Sequence, residues 1–304
     1  MVTSSAKPFL KWAGGKTQLL DEVRKRIPVQ VEEGEVPVFV EPFVGGGAVY
    51  FFLNGMFDFK TCHIFDINEE LVLAYTVVRD DVESLIHELD AIAKEYVPRN
   101  EAARKDYYYQ VRETFNQTKQ EIDFSRFRKA WTGRAAQLIF LNRTCFNGLF
   151  RVNAQGEFNV PFGSYKKPAI LNATVLRADS ALLKNTEIHQ GDFTTAGPYI
   201  SGDSFVYFDP PYRPLNPTSS FTGYAKDGFS DDEQRRLARF FTECHATGGK
   251  LMLSNSDPRN SNPDDHFFDS LYADYRIERV PAKRYINRDG TKRGAIHEII
   301  VTNY

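Results

Sequence analysis

Cysteine is scarce. Only Cys62, Cys145 and Cys244 occur in the 304 residues, an odd number set far apart. This excludes a disulfide framework and fits a reducing compartment. The six histidines form no H-x-x-x-H pair, and no C-x-x-C accompanies them, so no metal site is expected. No apolar run reaches the roughly 18 residues that read as a membrane span. The opening MVTSSAKPFLKWAGG has no apolar signal core, and a cytoplasmic protein without membrane attachment is expected. Net charge is also nearly absent, −2 at neutral pH, so the overall balance names no partner. No internal repeat or low-complexity tract stands out.

The charge is unevenly placed, however. From Arg126 to Lys167 there are eight Lys/Arg and a single acid, Glu157, while the rest of the chain carries 30 basic and 39 acidic residues. A basic segment in an acidic protein reads as a local polyanion site or as a solvated face. Trp131, Phe140, Phe146, Phe150, Phe158 and Tyr165 lie within it, and aromatics among basic residues favour contact with bases and phosphates.

Short apolar runs predict strands at 38–43, 63–68, 187–193, 204–208 and 250–255, with a closing hairpin from 275–280 and 297–302. Helical stretches separate the earlier strands, which implies a doubly wound, mainly parallel α/β sheet. The interval from about 72 to 170 breaks this rhythm. Phe127, Trp131, Ala135 and Leu138 recur there at one helix face. It reads as an inserted helical domain, 72–170, between a first domain's two parts, 1–71 and 171–304.

WAGGKT at 12–17 resembles the end of a phosphate-binding loop, but the first glycine of G-x-x-x-x-G-K-[ST] would fall at position 10, which is Leu10. No strand precedes it. The alternative is a tight turn with Thr17 capping a helix from Gln18 to Arg26. EPFVGGGA (41–48) sits at a strand end, where α/β proteins bring backbone close to a ligand, and Asp66 ends the next strand, 19 positions after Gly47. An acid there suits ribose hydroxyls; the bland reading is a turn and a capping aspartate. After FVYF comes Asp209-Pro210-Pro211-Tyr212. Two prolines force the backbone out of the sheet in a stiff bend. The bend presents the Asp209 carboxylate and the Pro210 carbonyl as fixed acceptors, with Tyr212 as a flat face nearby. An amino group on a planar ring fits this set; a loop exit with a capping Asp is the alternative.

PFLKWAGGK, FVGGGA, FDIN and DPPY, in this order, resemble the Dam-like (D12 class) adenine-N6 DNA methyltransferases, of the GATC-specific type, over nearly the whole chain. DPPY alone is less specific, since methylases of ribosomal-RNA guanine share it. The resemblance implies a seven-stranded methyltransferase sheet, S-adenosyl-L-methionine as cofactor and double-stranded DNA as substrate, bound by a monomer. It implies that Trp12 and Lys16 contact the cofactor, that the backbone from Phe43 through Gly45 to Gly47 lies along its methionine end, and that Asp66 holds the ribose. Asp192 and Phe193 lie beside its adenine, and Asp209, Pro210, Pro211 and Tyr212 form the catalytic motif, with Asp209 also bordering the cofactor. Lys11 faces a DNA base. NRTCFNGLFRVNAQGEFNVPFGSYKKP from Asn142 resembles the family's recognition insert. Phe146, Asn147, Leu149, Arg151, Asn153, Pro161, Tyr165 and Lys166 match positions that touch DNA. Val152 and Ser164 depart from that pattern: tyrosine is usual at the first position, and an arginine can occur at the second. The expected reaction is methylation of adenine N6 in duplex GATC with the base flipped out, in a restriction–modification or related setting. A methyltransferase acting on RNA or another amino group is the alternative. The loop 219–230 reads as a cover for the flipped base, and Lys283, Arg284, Lys292 and Arg293 as further phosphate contacts.

Overall fold

The computed structural model describes residues 6–213, 229–282 and 296–304. Most of the 219–230 loop and the four basic residues just named lie outside the described residues. Seven strands occur: β1 Val38–Glu41, β2 Thr61–Asp66, β3 Thr186–Gln190, β4 Ser204–Phe208, β5 Lys250–Ser256, β6 Arg276–Ala282 and β7 Ile296–Thr302. The helices are α1 Leu20–Arg24, α2 Val29–Glu32, α3 Ala48–Asn54, α4 Glu69–Asp80, α5 Val82–Tyr96, α6 Glu101–Gln117, α7 Ala130–Thr144, α8 Ala173–Leu182, α9 Asp231–Ala246 and α10 Phe267–Leu271.

The strand order is β3-β2-β1-β4-β5-β7-β6. β1 pairs in parallel with β2 and β4, and β4 with β5. β7 runs antiparallel between β5 and β6, so the predicted closing hairpin adds antiparallel pairings to the parallel β2-β1-β4-β5 run. β4 is buried along its whole length. This is why SFVYF is a continuous apolar run rather than an alternating one. Chain order reverses between β1 and β4. Such a reversal opens a crevice at the carboxyl ends of the strands, where ligands of open α/β sheets bind. EPF leaves β1 and DPPY leaves β4 at that edge.

Two compact units divide the chain: Met1–Gly15, Gly45–Met56 and Asp66–Gln190 form one, and Lys16–Val44, Phe57–Phe65 and Gly191–Tyr304 the other. The first is built around α7, which packs on α4, α5 and α6. α7 is buried nearly all round, Trp131, Ala135 and Leu138 included. Phe127 precedes the helix and meets Trp131 edge to face at 5.7 Å. α4 starts under an Asn68 cap, whose side chain accepts from the Glu70 and Leu71 N–H groups. The second unit's core joins Val40, Phe65, Phe193, Val206, Phe208, Phe241 and Leu253.

Two sequence readings need correction. α1 begins at Leu20, not Gln18, and Thr17 caps nothing. The Leu19 N–H instead closes a turn on the Lys16 carbonyl at 2.8 Å, and the Leu19 side chain is buried. The basic segment is also not a uniform face. Arg134 is 3% exposed, its Nε donates to Glu70 at 2.9 Å and its Nη1 to the Phe115 carbonyl at 2.6 Å. Burial pushes the Glu70 carboxyl up in pKa, and Arg134 opposes that shift. Arg143 turns inward to the Phe9 carbonyl at 2.7 Å. Arg126, Arg128, Lys129, Lys166 and Lys167 remain exposed. Arg134→Ala is therefore expected to destabilise the fold by about 3–5 kcal/mol, since it strands a buried carboxylate. Thermal or denaturant unfolding measures this.

Candidate active site

In the second unit, DPPY is held from several sides. Lys16 is buried and its ammonium pairs with the Asp209 carboxylate. The same nitrogen lies 4.4 Å from the centre of the Tyr212 ring. Ser254 hydrogen-bonds Asp209 and also Tyr207, at 2.8 Å. The Tyr212 hydroxyl donates to Glu298. Gln234 donates to the Pro211 carbonyl at 3.1 Å and accepts from Asn255 at 3.3 Å. Arg213 then ties the chain to Asp231 and Asp265, at 2.6 and 2.7 Å. The stiff bend expected of two prolines is thus also fixed at its carbonyls and side chains. Burial pushes the Asp209 carboxyl up to about 6, against the pull of Lys16 and Ser254. The carboxylate is ionised near neutral pH and is a stronger acceptor for being partly desolvated.

Also in this unit, Asp192 accepts from Thr194 N–H at 3.1 Å and Oγ1 at 2.8 Å, and pairs with Arg236. Burial works against its charge, but these partners hold its pKa below the ordinary carboxylate value. Phe193 is 2% exposed. Phe43 packs on it at 5.3 Å and Arg236 covers it at 4.3 Å. Phe193 is thus packed into the unit's core, next in the chain to the polar Asp192.

In the first unit, Asp66 takes N–H groups from Gly45 at 3.1 Å and Asn68 at 2.8 Å. Burial raises its carboxyl to about 6. Both the turn-organising and the ligand-accepting roles remain chemically open to it, because each carboxylate oxygen has a second lone pair. Gly45 and Gly47 have φ of +48° and +74°. A Cβ on Gly47 would stand 2.4 Å from the Tyr75 hydroxyl, and one on Gly45 would stand 3.0 Å from the Trp12 ring. The glycines are thus required by backbone hand and by close packing together. Trp12 stacks on Phe150 at 5.3 Å.

The insert's residues also lie in this unit. Phe146 and Leu149, three positions apart, are 53% and 37% exposed. Asn147 has φ +59°, a left-handed turn residue. Pro161 supports the turn by accepting the Phe146 N–H at 2.8 Å. Arg151 donates Nε–H to Asn159 at 2.7 Å. Asn153 spends its side chain on the turn, accepting from Gln155 and Glu157 N–H and donating to Glu157. The Lys11 ammonium lies 5.0 Å from the Tyr165 ring centre. Lys166 is exposed, with its carbonyl taken by Arg104. Ser164, one of the departures, bonds Glu101.

Sequence reasoning missed Gln234, Ser254, Asn255 and Glu298 around DPPY, and Asn142 and Asn159 around the insert. The polar SN following KLML at the end of β5 was a signal for Ser254 and Asn255 alone, since β5 lies beside β4.

A family model for D12 class N6 adenine-specific DNA methyltransferases matches residues 12–286. The chain is 50% identical over 299 residues to the Type II methyltransferase M.MjaIII of Methanocaldococcus jannaschii, covering 98% of this chain and 99% of that one. It is 38% identical over 300 residues to a Type II methyltransferase of Lactococcus lactis subsp. cremoris, covering 98% of this chain and 95% of that one. It is 34% identical over 295 residues to the DNA adenine methylase of Escherichia coli, covering 97% of this chain and 94% of that one. With the model spanning most of its length and relatives this similar end to end, the chain belongs to the D12 class of N6 adenine-specific DNA methyltransferases.

Proposed function

We propose that the protein transfers a methyl group from S-adenosyl-L-methionine to N6 of an adenine flipped out of duplex GATC. The observation that carries this reading is the seat of the Lys16 ammonium, against the Asp209 carboxylate and over the Tyr212 ring. A protein amine already occupies an acceptor-plus-aromatic setting of the kind an adenine amine and its ring require. On this reading the target amine replaces the ammonium at Asp209, and Lys16 turns to the cofactor.

N6 of adenine is a weak nucleophile because its lone pair is delocalised into the ring. Bonds from its two hydrogens to Asp209 and the Pro210 carbonyl favour a pyramidal nitrogen with a localised pair. Gln234 and Ser254 keep those acceptors in place, so the residues supply positioning and preset electrostatics. Tyr212 replaces the stacking lost on flipping. The proton leaves the nitrogen after methyl transfer, and no tuned base is needed. When bound, the cofactor supplies the activated methyl on a sulfonium. Features of each unit support its fit: Asp66 and the glycine turn with Trp12 in the first, and the Asp192 and Asp209 carboxylates in the second.

The insert 72–170 is assigned to DNA recognition, within a catalytic domain of 1–71 and 171–304. Lys11, Asn147, Leu149 and Arg151 face bases, Phe146 fills the vacated stack, and Asn153, Pro161, Tyr165 and Lys166 hold the backbone.

Incubation with labelled S-adenosylmethionine and either plasmid DNA or total RNA tests the reading. Label in DNA, N6-methyladenine by mass spectrometry and an altered response to methylation-sensitive GATC endonucleases are expected. Methylcytosine, N6-methyladenine confined to other sites, or label in RNA alone would overturn it. Tyr212→Ala is expected to lose about 1–3 kcal/mol of base stacking, and Tyr212→Phe less, in single-turnover rates; equal losses would assign the role to the hydroxyl. Replacing Lys166 or Lys167 by alanine should lower the log–log salt slope of DNA binding by about 0.9 for each phosphate no longer neutralised. Arg134→Ala, being interior, should leave that slope alone.

A further inference from the structure

We propose that Asn142 is a specificity-positioning residue, one buried amide that sets Lys11 and the Asn147–Leu149 turn in register so that they read DNA as a single unit. This rests on the proposed function above and deepens it.

Asn142 lies in the last turn of α7 and is 1% exposed. Its Oδ1 accepts the Lys11 backbone N–H at 2.8 Å. Its Nδ2 donates to the Lys11 carbonyl at 2.8 Å and to the Gly148 carbonyl at 3.1 Å. One acceptor and two donors therefore meet one N–H and two carbonyls, and the amide's orientation is settled by that complement. Aspartate cannot replace it, because a carboxylate would face two carbonyl oxygens. Glutamine is one carbon too long, and leucine of similar shape makes none of the bonds.

The side chains repeat the coupling. Asn147 and Gly148 both stand at left-handed φ, +59° and +65°. The Lys11 chain lies flat across Gly148, where an added Cβ would meet Lys11 Cδ at 2.3 Å and Cβ at 3.0 Å. The Cys145 thiol donates to the Leu149 carbonyl at 3.2 Å and steadies the far end of the turn. Lys11 is 131 residues from Asn142 in sequence, and Gly148 only six. No local propensity joins these two segments; the amide does. A shift of Lys11 relative to the turn misplaces a base contact without touching Asp209 or Tyr212.

The test measures single-turnover methylation by wild type, Asn142→Ala and Gly148→Ala on GATC duplexes and on duplexes changed at one base pair, at saturating cofactor. Gly148→Ala approaches the same coupling from the other side and serves if Asn142→Ala does not fold. Both variants are expected to lose cognate rate by about tenfold and to lose far less at the base pairs read by Lys11 and the turn, as when a base-reading group is removed. Discrimination there should fall at least about fivefold, with cofactor affinity within about twofold of wild type. Cognate and altered sites falling by one common factor in both variants, or discrimination left intact, would overturn the proposal. If wild type methylates no adenine in any duplex, it is the proposed function that fails, and that outcome is visible without either variant.

Discussion

Asp209→Asn is expected to lower the single-turnover rate of methyl transfer by about two to three orders of magnitude, the scale of losing one preset electrostatic contact to a reacting group. The amide keeps the shape of the carboxylate but offers a weaker acceptor to the adenine amine. The pH profile sharpens the test. Asp209 titrates at about 6 because burial disfavours its charge, against Lys16. The acceptor role needs the ionised form, so the wild-type kcat/KM, which reports the free enzyme, should fall tenfold per unit below about pH 6 and level off above about 7. Stability moves the other way. A carboxyl with a folded pKa near 6 and an unfolded one of about 3.9 binds its proton more tightly when folded. Its contribution to stability therefore grows as pH falls from about 6 to 4, while activity disappears. Asp66, near 6, and Asp179, near 8, add slopes of the same sign, so the informative quantity is the difference between wild type and variant. Asp209→Asn should remove the acidic limb from its residual rate and flatten the stability slope. A single-turnover rate within about tenfold of wild type would remove Asp209 from the chemistry.

The sheet was legible because its strands are short, continuous apolar runs bounded by turn residues, and β7 was recognisable as the partner of β6 from the polar loop between them. DPPY was legible because two prolines after an apolar run permit few conformations. Arg134 was not. Charge counted along the chain places it on the basic face, whereas its partner Glu70 is 64 residues away and draws it into the interior. Gln234, Asn255 and Asn142 escaped notice for the same reason. Each is an ordinary polar residue whose value lies in one or two long-range bonds, and no spacing rule reports these.

Arg151→Ala should show whether the insert reads bases or only grips phosphates. Asn159 accepts the Arg151 Nε–H at 2.7 Å, so the guanidinium is aimed by its inner nitrogen, and the two terminal nitrogens form the fork that a guanine edge matches. A bidentate contact to guanine O6 and N7 discriminates by about 1–3 kcal/mol. Cognate activity should therefore fall by roughly one to two decades. Removing a phosphate-gripping group from the same place would instead weaken all sequences alike. Rates on GATC and on each singly altered site separate the two. If the arginine reads guanine, one altered site loses far less than the cognate, since its contact was already absent, and that site identifies the base pair. Asn159→Ala should reproduce the pattern at smaller amplitude, because it releases the aim of the fork but leaves its donors. If cognate and altered sites fall together in Arg151→Ala, the residue is a clamp. Sequence choice would then rest with Lys11 and the Asn147–Leu149 turn, and the assignment of GATC would lose its strongest physical support.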